Sequence, residues 1–245
     1  MAPMWRRFAR RVRRDAVALL QQPWRAVRAG QLNRFWLGPV AAAAVLVLSE
    51  LARTGPGHAL LQRWAVMRGD EPWWLTLEKL PLSLFAPAYL LPCGFAMLQV
   101  FVVFGGAQVL LGVRRTLGVA VAGHLLGSLS PRLWVWLAPP MGLPTRYLHL
   151  PDAGPSVAAL AIAVFLVVRL RILWLAAMLA TYHLTEWFAI TGLAQREHLV
   201  GVATGAVIAL GRLAQPHLAA NLSGRHAADP VDMIRQLNDD ENGLQ

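Results

Sequence analysis

The sequence predicts an all-α fold: a polytopic membrane bundle of about six transmembrane helices. Three observations lead there. Charged residues make up 15% of the 245-residue chain and hydrophobic residues 56%, whereas a soluble domain carries about 25% charged residues. Mean hydropathy is +0.46. The net charge of +10 is unevenly placed: Arg6, Arg7, Arg10, Arg11, Arg13, Arg14, Arg25, Arg28 and Arg34 all precede the first long apolar run. A basic cluster directly upstream of a span marks the cytoplasmic side of a membrane and favours anionic lipid headgroups. No soluble recognition fold follows it, so nucleic acid is not an expected partner. The expected location is the inner membrane, with both termini cytoplasmic.

The chain divides into a basic N-terminal segment (1–34), a membrane domain (35–213) and a polar tail (214–245) expected to be disordered. A cleavable signal peptide is not expected, because the apolar run begins only near Trp36 and no small-residue cleavage site follows it. A spanning helix needs about 20 apolar residues, and the first is expected over 35–52. The stretch 60–82 mixes Arg63, Arg68, Asp70, Glu71, Glu78 and Lys79 with Trp64, Trp73 and Trp74. That mixture suits an outer-face loop, partly a short amphipathic helix.

The second span, 84–112, contains Pro87 and Pro92 and ends at the basic turn Arg114-Arg115. The third, 117–138, holds His124 and, near its far end, Arg132 and Trp134. A proline-rich loop over 139–152 leads to the fourth span, which begins near Ala153 and stops at Arg169 and Arg171. The fifth covers 172–190 with His183 and Glu186 inside it. A tight turn through Gln195-Arg196-Glu197 opens the sixth, 198–213. The basic turns all fall on one side, which sets a single orientation. Cys93 is the only cysteine, which excludes an intrachain disulfide or a thiolate metal cluster.

Ionisable groups inside a bilayer are costly and raise a functional hypothesis. The polar candidates are His124, Asp152, Ser156, His183, Glu186 and His198. Ser156 opens the fourth span on the outer side. The chain then descends and returns, so His198 opens the sixth span at the same depth. A serine and a histidine about forty residues apart can therefore meet, as a nucleophile and its base must. Gly154 precedes Ser156 by two positions, where glycine permits close backbone approach. Backbone amides at a helix start can stabilise an oxyanion, which makes Gly154 and Ser156 the candidate donors. Gly201 and Gly205 follow His198 four residues apart, a small-xxx-small face that brings helices together.

Here the chain resembles the rhomboid intramembrane serine proteases. Gly154-Pro155-Ser156-Val157 looks like their GxSG nucleophile motif, and His198 to Gly205 looks like their HxxGxxxG motif. The long outer loop after the first span and the stretch from Gly105 to Gly118 are also similar. The resemblance covers about residues 35–213. It implies a rhomboid-like six-helix bundle that cleaves transmembrane substrates with a Ser–His dyad, Ser156 as nucleophile and His198 as base, and with no cofactor. The implied partners are substrate transmembrane segments and the lipid bilayer.

Three positions depart from that pattern. Val157 stands where the motif ends in glycine. The segment Cys93 to Leu98 lacks the histidine and asparagine of the HxxxN motif. Arg63-Trp64 reverses the loop's Trp-Arg pair. The departures leave open a catalytically inactive rhomboid-like protein that binds membrane segments. A transporter or channel using His124, His183 and Glu186 as a polar path is a further alternative. His183 and Glu186, three apart, share a helix face, and with His124 and His198 they offer donors that suit zinc, but no spacing forms a metal motif such as HExxH, and no metal is expected.

Overall fold

A computed structural model describes residues 4–86, 92–136, 145–190 and 192–213. The described residues are all-helical: α1 (Met4–Arg28), α2 (Leu37–Ala52), α3 (Gly55–Trp64), α4 (Trp73–Ser83), α5 (Cys93–Leu111), α6 (Val113–Trp136), α7 (Ser156–Arg169), α8 (Leu173–Ala189) and α9 (Leu193–Leu213), with 3-10 turns at Leu32–Arg34 and Thr145–His149. The only strand-like pairing among them is an antiparallel bridge between Met67 and Asp152. The expected polar tail, 214–245, and the residues around Pro87 lie outside the described residues.

By length and apolarity, one described helix can cross a bilayer on its own, α5; α2 and α7 are apolar but shorter. The helices α6 and α9 are long enough, yet Arg114, Arg115 and Arg132 dilute the first, and Arg196, Glu197 and Arg212 the second.

Every expected span coincides with a helix, although several boundaries move. The stretch 53–83 is two helices rather than a loop with one. Thr54 caps α3 by accepting from the Gly57 amide. The charges of this region fold inward: the buried Lys79 ammonium donates to Val66 O at 2.9 Å and to Glu71 Oε1 at 2.6 Å. Arg132 does not snorkel outward as a terminal arginine would; its guanidinium donates to Arg68 O (3.2 Å) and Glu71 O (2.6 Å) and so ties α6 to the α3–α4 connection. Gln195-Arg196-Glu197 is no turn but belongs to the first turns of α9. Arg196 and Glu197 are buried there: the Arg196 guanidinium stacks over the Trp187 ring and Glu197 bonds the Asp152 carboxyl, while Arg196 Nη1 and Glu197 Oε1 have no hydrogen-bond partner.

At the centre stands α7, with Val157 to Ile162 and Val164 to Val168 buried. It touches α5, α6 and α8, and its most extensive contact is with α9. Small residues make that possible. A Cβ on Gly201 would come 2.9 Å from Val157 O, and one on Gly205 would strike the Ala161 carbonyl. On the other side, Gly123 and Gly127 of α6 face Ala161 and Val157. The second close pair is α2 with α5, where Gly38 meets Phe101 O and Gly105 meets the Phe35 ring. Gln108 of α5 caps the start of α2, accepting from the Leu37 amide at 2.7 Å.

The basic N-terminal segment, expected only as a charged lead, is an amphipathic helix. Its Asp15 carboxylate accepts from Trp174 Nε1 of α8 at 2.8 Å, and Phe8 meets the same indole edge-on. Between α1 and the bundle lies a cavity of about 870 Å³, walled by apolar residues such as Val17, Trp24, Phe101, Leu166 and Leu179.

Candidate functional site

Ser156 is the first residue of α7. The chain reaches it through Gly154 at φ +126°, a backbone conformation that residues with a Cβ rarely adopt. Three backbone hydrogen bonds fix this approach. Asp152 exchanges both backbone hydrogen bonds with Met67, each 2.9 Å, and the Gly154 amide donates to Ser83 O at 2.9 Å. Gly154 therefore serves by its conformation, not as a free oxyanion donor. The amides of Ser156 and Val157 open the helix with no carbonyl four residues back within it to reach. Ser83 is itself held: its hydroxyl lies 3.1 Å from Nε2 of the fully buried His124.

His198, in the second turn of α9, places Nε2 3.2 Å from Ser156 Oγ. The two residues that share depth in the sequence thus meet in space. Behind the imidazole stands a second polar layer from α8. The His183 ring packs edge-on against His198, with centroids 5.3 Å apart at 71°. Glu186 Oε2 lies 2.7 Å from His183 Nδ1 and 4.0 Å from His198 Nδ1. Nδ1 of His198 is buried and has no hydrogen-bond partner. The arrangement can move a proton from Ser156 to Nε2, provided that Nε2 carries the lone pair and Nδ1 the hydrogen.

A third layer was hidden from the sequence. Asp152, in the approach to α7, and Glu197, one residue before His198, share a hydrogen bond between buried carboxyls, and Ser128 of α6 donates to Asp152. Burial pushes the Asp152 carboxyl above the ordinary carboxylate range. The contact joins the segment carrying the serine to the helix carrying the histidine, and it needs a proton between two carboxyls. An acid with a raised folded-state pKa stabilises the fold below its unfolded value, and that contribution is lost as pH rises through the folded value. Thermal stability should therefore fall as pH climbs above the ordinary carboxylate range of about 4. Asp152→Asn, whose amide donates without titrating, should flatten that slope; equal slopes would remove the shared proton from the account.

Exposed Asp70 differs. The His149 imidazole at 2.9 Å holds its carboxyl below the usual range, a surface pair of small energetic weight. His124 belongs to the Ser83 contact and not to the cluster around His198. Within Cys93 to Leu98, α5 supplies no histidine or asparagine. Val157, the departure beside the serine, is buried, and its Cγ1 fills the space in front of Gly127 and Gly201. No protein-family model, curated protein or solved structure matches the chain.

Proposed function

We propose that the chain is a rhomboid-like, six-span inner-membrane serine protease that cleaves transmembrane substrates, with its N-terminus cytoplasmic. The observation that carries this reading is the 3.2 Å approach of His198 Nε2 to Ser156 Oγ between α7 and α9. Large apolar side chains point outward on the surrounding helices, among them Val47, Leu98, Phe188 and Val207. Such a surface suits lipid better than water. With 14 residues, α7 is about 21 Å long, short of the ~30 Å hydrocarbon layer. In this reading Ser156 lies beneath the outer membrane surface, where water and an unwound substrate segment reach it.

In this mechanism Ser156 Oγ attacks a peptide carbonyl while His198 Nε2 takes its proton. The tetrahedral oxyanion is held by the amides of Ser156 and Val157. His198 then delivers the proton to the leaving amine, and water repeats the cycle on the acyl-enzyme. A membrane-segment binder without catalysis is the second reading, favoured by the lack of a side-chain oxyanion donor in Cys93 to Leu98. The polar-path reading is weakened, since His124 is engaged with Ser83. The deciding experiment incubates the purified protein with transmembrane test substrates, wild type beside Ser156→Ala. Cleavage by wild type alone supports the protease; equal outcomes for the two sink it.

A further inference from the structure

Two helices hold the ligands of an unassigned site. His183 and Glu186 sit one turn apart on α8, and His198 faces them from α9. One ligand atom from each lies within 4.8 Å of the others; His183 is buried, and Glu186 and His198 are partly buried. Two imidazoles and one carboxylate form a familiar donor set for zinc, which binds nitrogen at about 2.0–2.1 Å and oxygen at about 2.0–2.2 Å. Two imidazoles on one tetrahedral zinc place their ring centroids about 5 Å apart. Here the separation is 5.3 Å. The buried Nδ1 of His198, without a hydrogen-bond partner, faces the same Glu186 oxygen that holds His183. An ion entering this triangle would need only a small movement, widening the 2.7 Å His183–Glu186 contact and drawing His198 inward. Water completes the fourth position.

We propose that His183, Glu186 and His198 bind a zinc ion, and that its occupancy switches off the Ser156–His198 pair. The second half rests on the protease reading; the first does not. The switch follows from the tautomers of one ring. A metal at Nδ1 uses that nitrogen's lone pair, so the imidazole hydrogen resides on Nε2. Nε2 then donates to Ser156 Oγ and cannot accept its proton. Base catalysis needs the opposite tautomer, with hydrogen on Nδ1, so metal binding and catalysis exclude each other. No linear metal spacing announces this site, because the third ligand comes from a different helix.

The test uses the full chain in detergent and two readouts. Zinc affinity is measured by competition with a chromophoric chelator, and Ser156 reactivity by labelling with a fluorophosphonate. One zinc per chain should bind wild type and Ser156→Ala alike. Binding should weaken about 100-fold in His183→Ala and in the near-isosteric Glu186→Gln. Saturating zinc should reduce wild-type labelling about 100-fold, with recovery on adding EDTA, and should leave labelling of His183→Ala unchanged relative to its own metal-free level. Zinc held equally well by both variants would belong to surface histidines such as His58 or His149, and would overturn the site. Zinc bound in this triangle without loss of labelling would overturn the switch. Site-specific zinc binding with no labelling in any condition would keep the site and defeat the protease reading.

Discussion

His198→Ala is expected to slow fluorophosphonate labelling of Ser156 by about 10²- to 10⁴-fold, the usual contribution of a positioned general base. A serine hydroxyl is a weak nucleophile until a neighbour accepts its proton, and Nε2 of His198 lies 3.2 Å from it. The substitution leaves the rest of the cluster standing. Glu186 keeps its 2.7 Å bond to His183 on the same helix, and the glycines that seat α9 against α7 are untouched. The melting temperature should change little, which separates lost chemistry from lost structure. Labelling of His198→Ala at the wild-type rate would mean that Ser156 is activated by something else, or that the labelled serine is another one.

Gly205→Leu should have the largest effect on stability. Even a single Cβ at this position would collide with the Ala161 carbonyl and come 3.1 Å from the Phe165 amide nitrogen. Both are backbone atoms of the central helix, which cannot rotate aside as a side chain would. Overpacking of a filled core costs typically 1–3 kcal/mol, and a leucine against a rigid backbone belongs at or beyond the upper end. The relief available is to push α9 away from α7, which also separates His198 from Ser156. Thermal unfolding in detergent and serine labelling should therefore fall together. Loss of stability with labelling retained would show that the pair does not depend on this helix contact. Gly211, further along α9, has open space at its Cβ position and supplies the control.

Much of the fold was legible because its signals are local. Apolar runs bounded by Arg114-Arg115 and by Arg169-Leu170-Arg171 locate α5 to α8, and proline and glycine at 154–155 mark the start of α7. The Ser156–His198 meeting was legible too, because helices of alternating direction return the chain to the same depth. What escaped were features whose partners lie far off in sequence. Glu197 looks like a turn residue until Asp152 is seen across from it. Arg132 looks like a boundary arginine until the carbonyls of Arg68 and Glu71 appear beneath it. Val157 looks like a defect in a serine motif, yet Gly127 and Gly201 leave room for its methyl groups. In each case the energy lies in a contact that no single segment contains.

The bond between Asp15 and Trp174 also has a bearing on how the chain is made. The two residues are 159 positions apart, and a ribosome adding about 5–20 residues per second needs about 8 to 30 s to bridge them. During that interval α1 can already meet α5, its principal neighbour in the fold, but the indole that receives its Asp15 carboxylate does not yet exist. The seating of α1 is thus completed late, and the apolar cavity beside it gains its last wall, Leu175 and Leu179, only after α8 has been made.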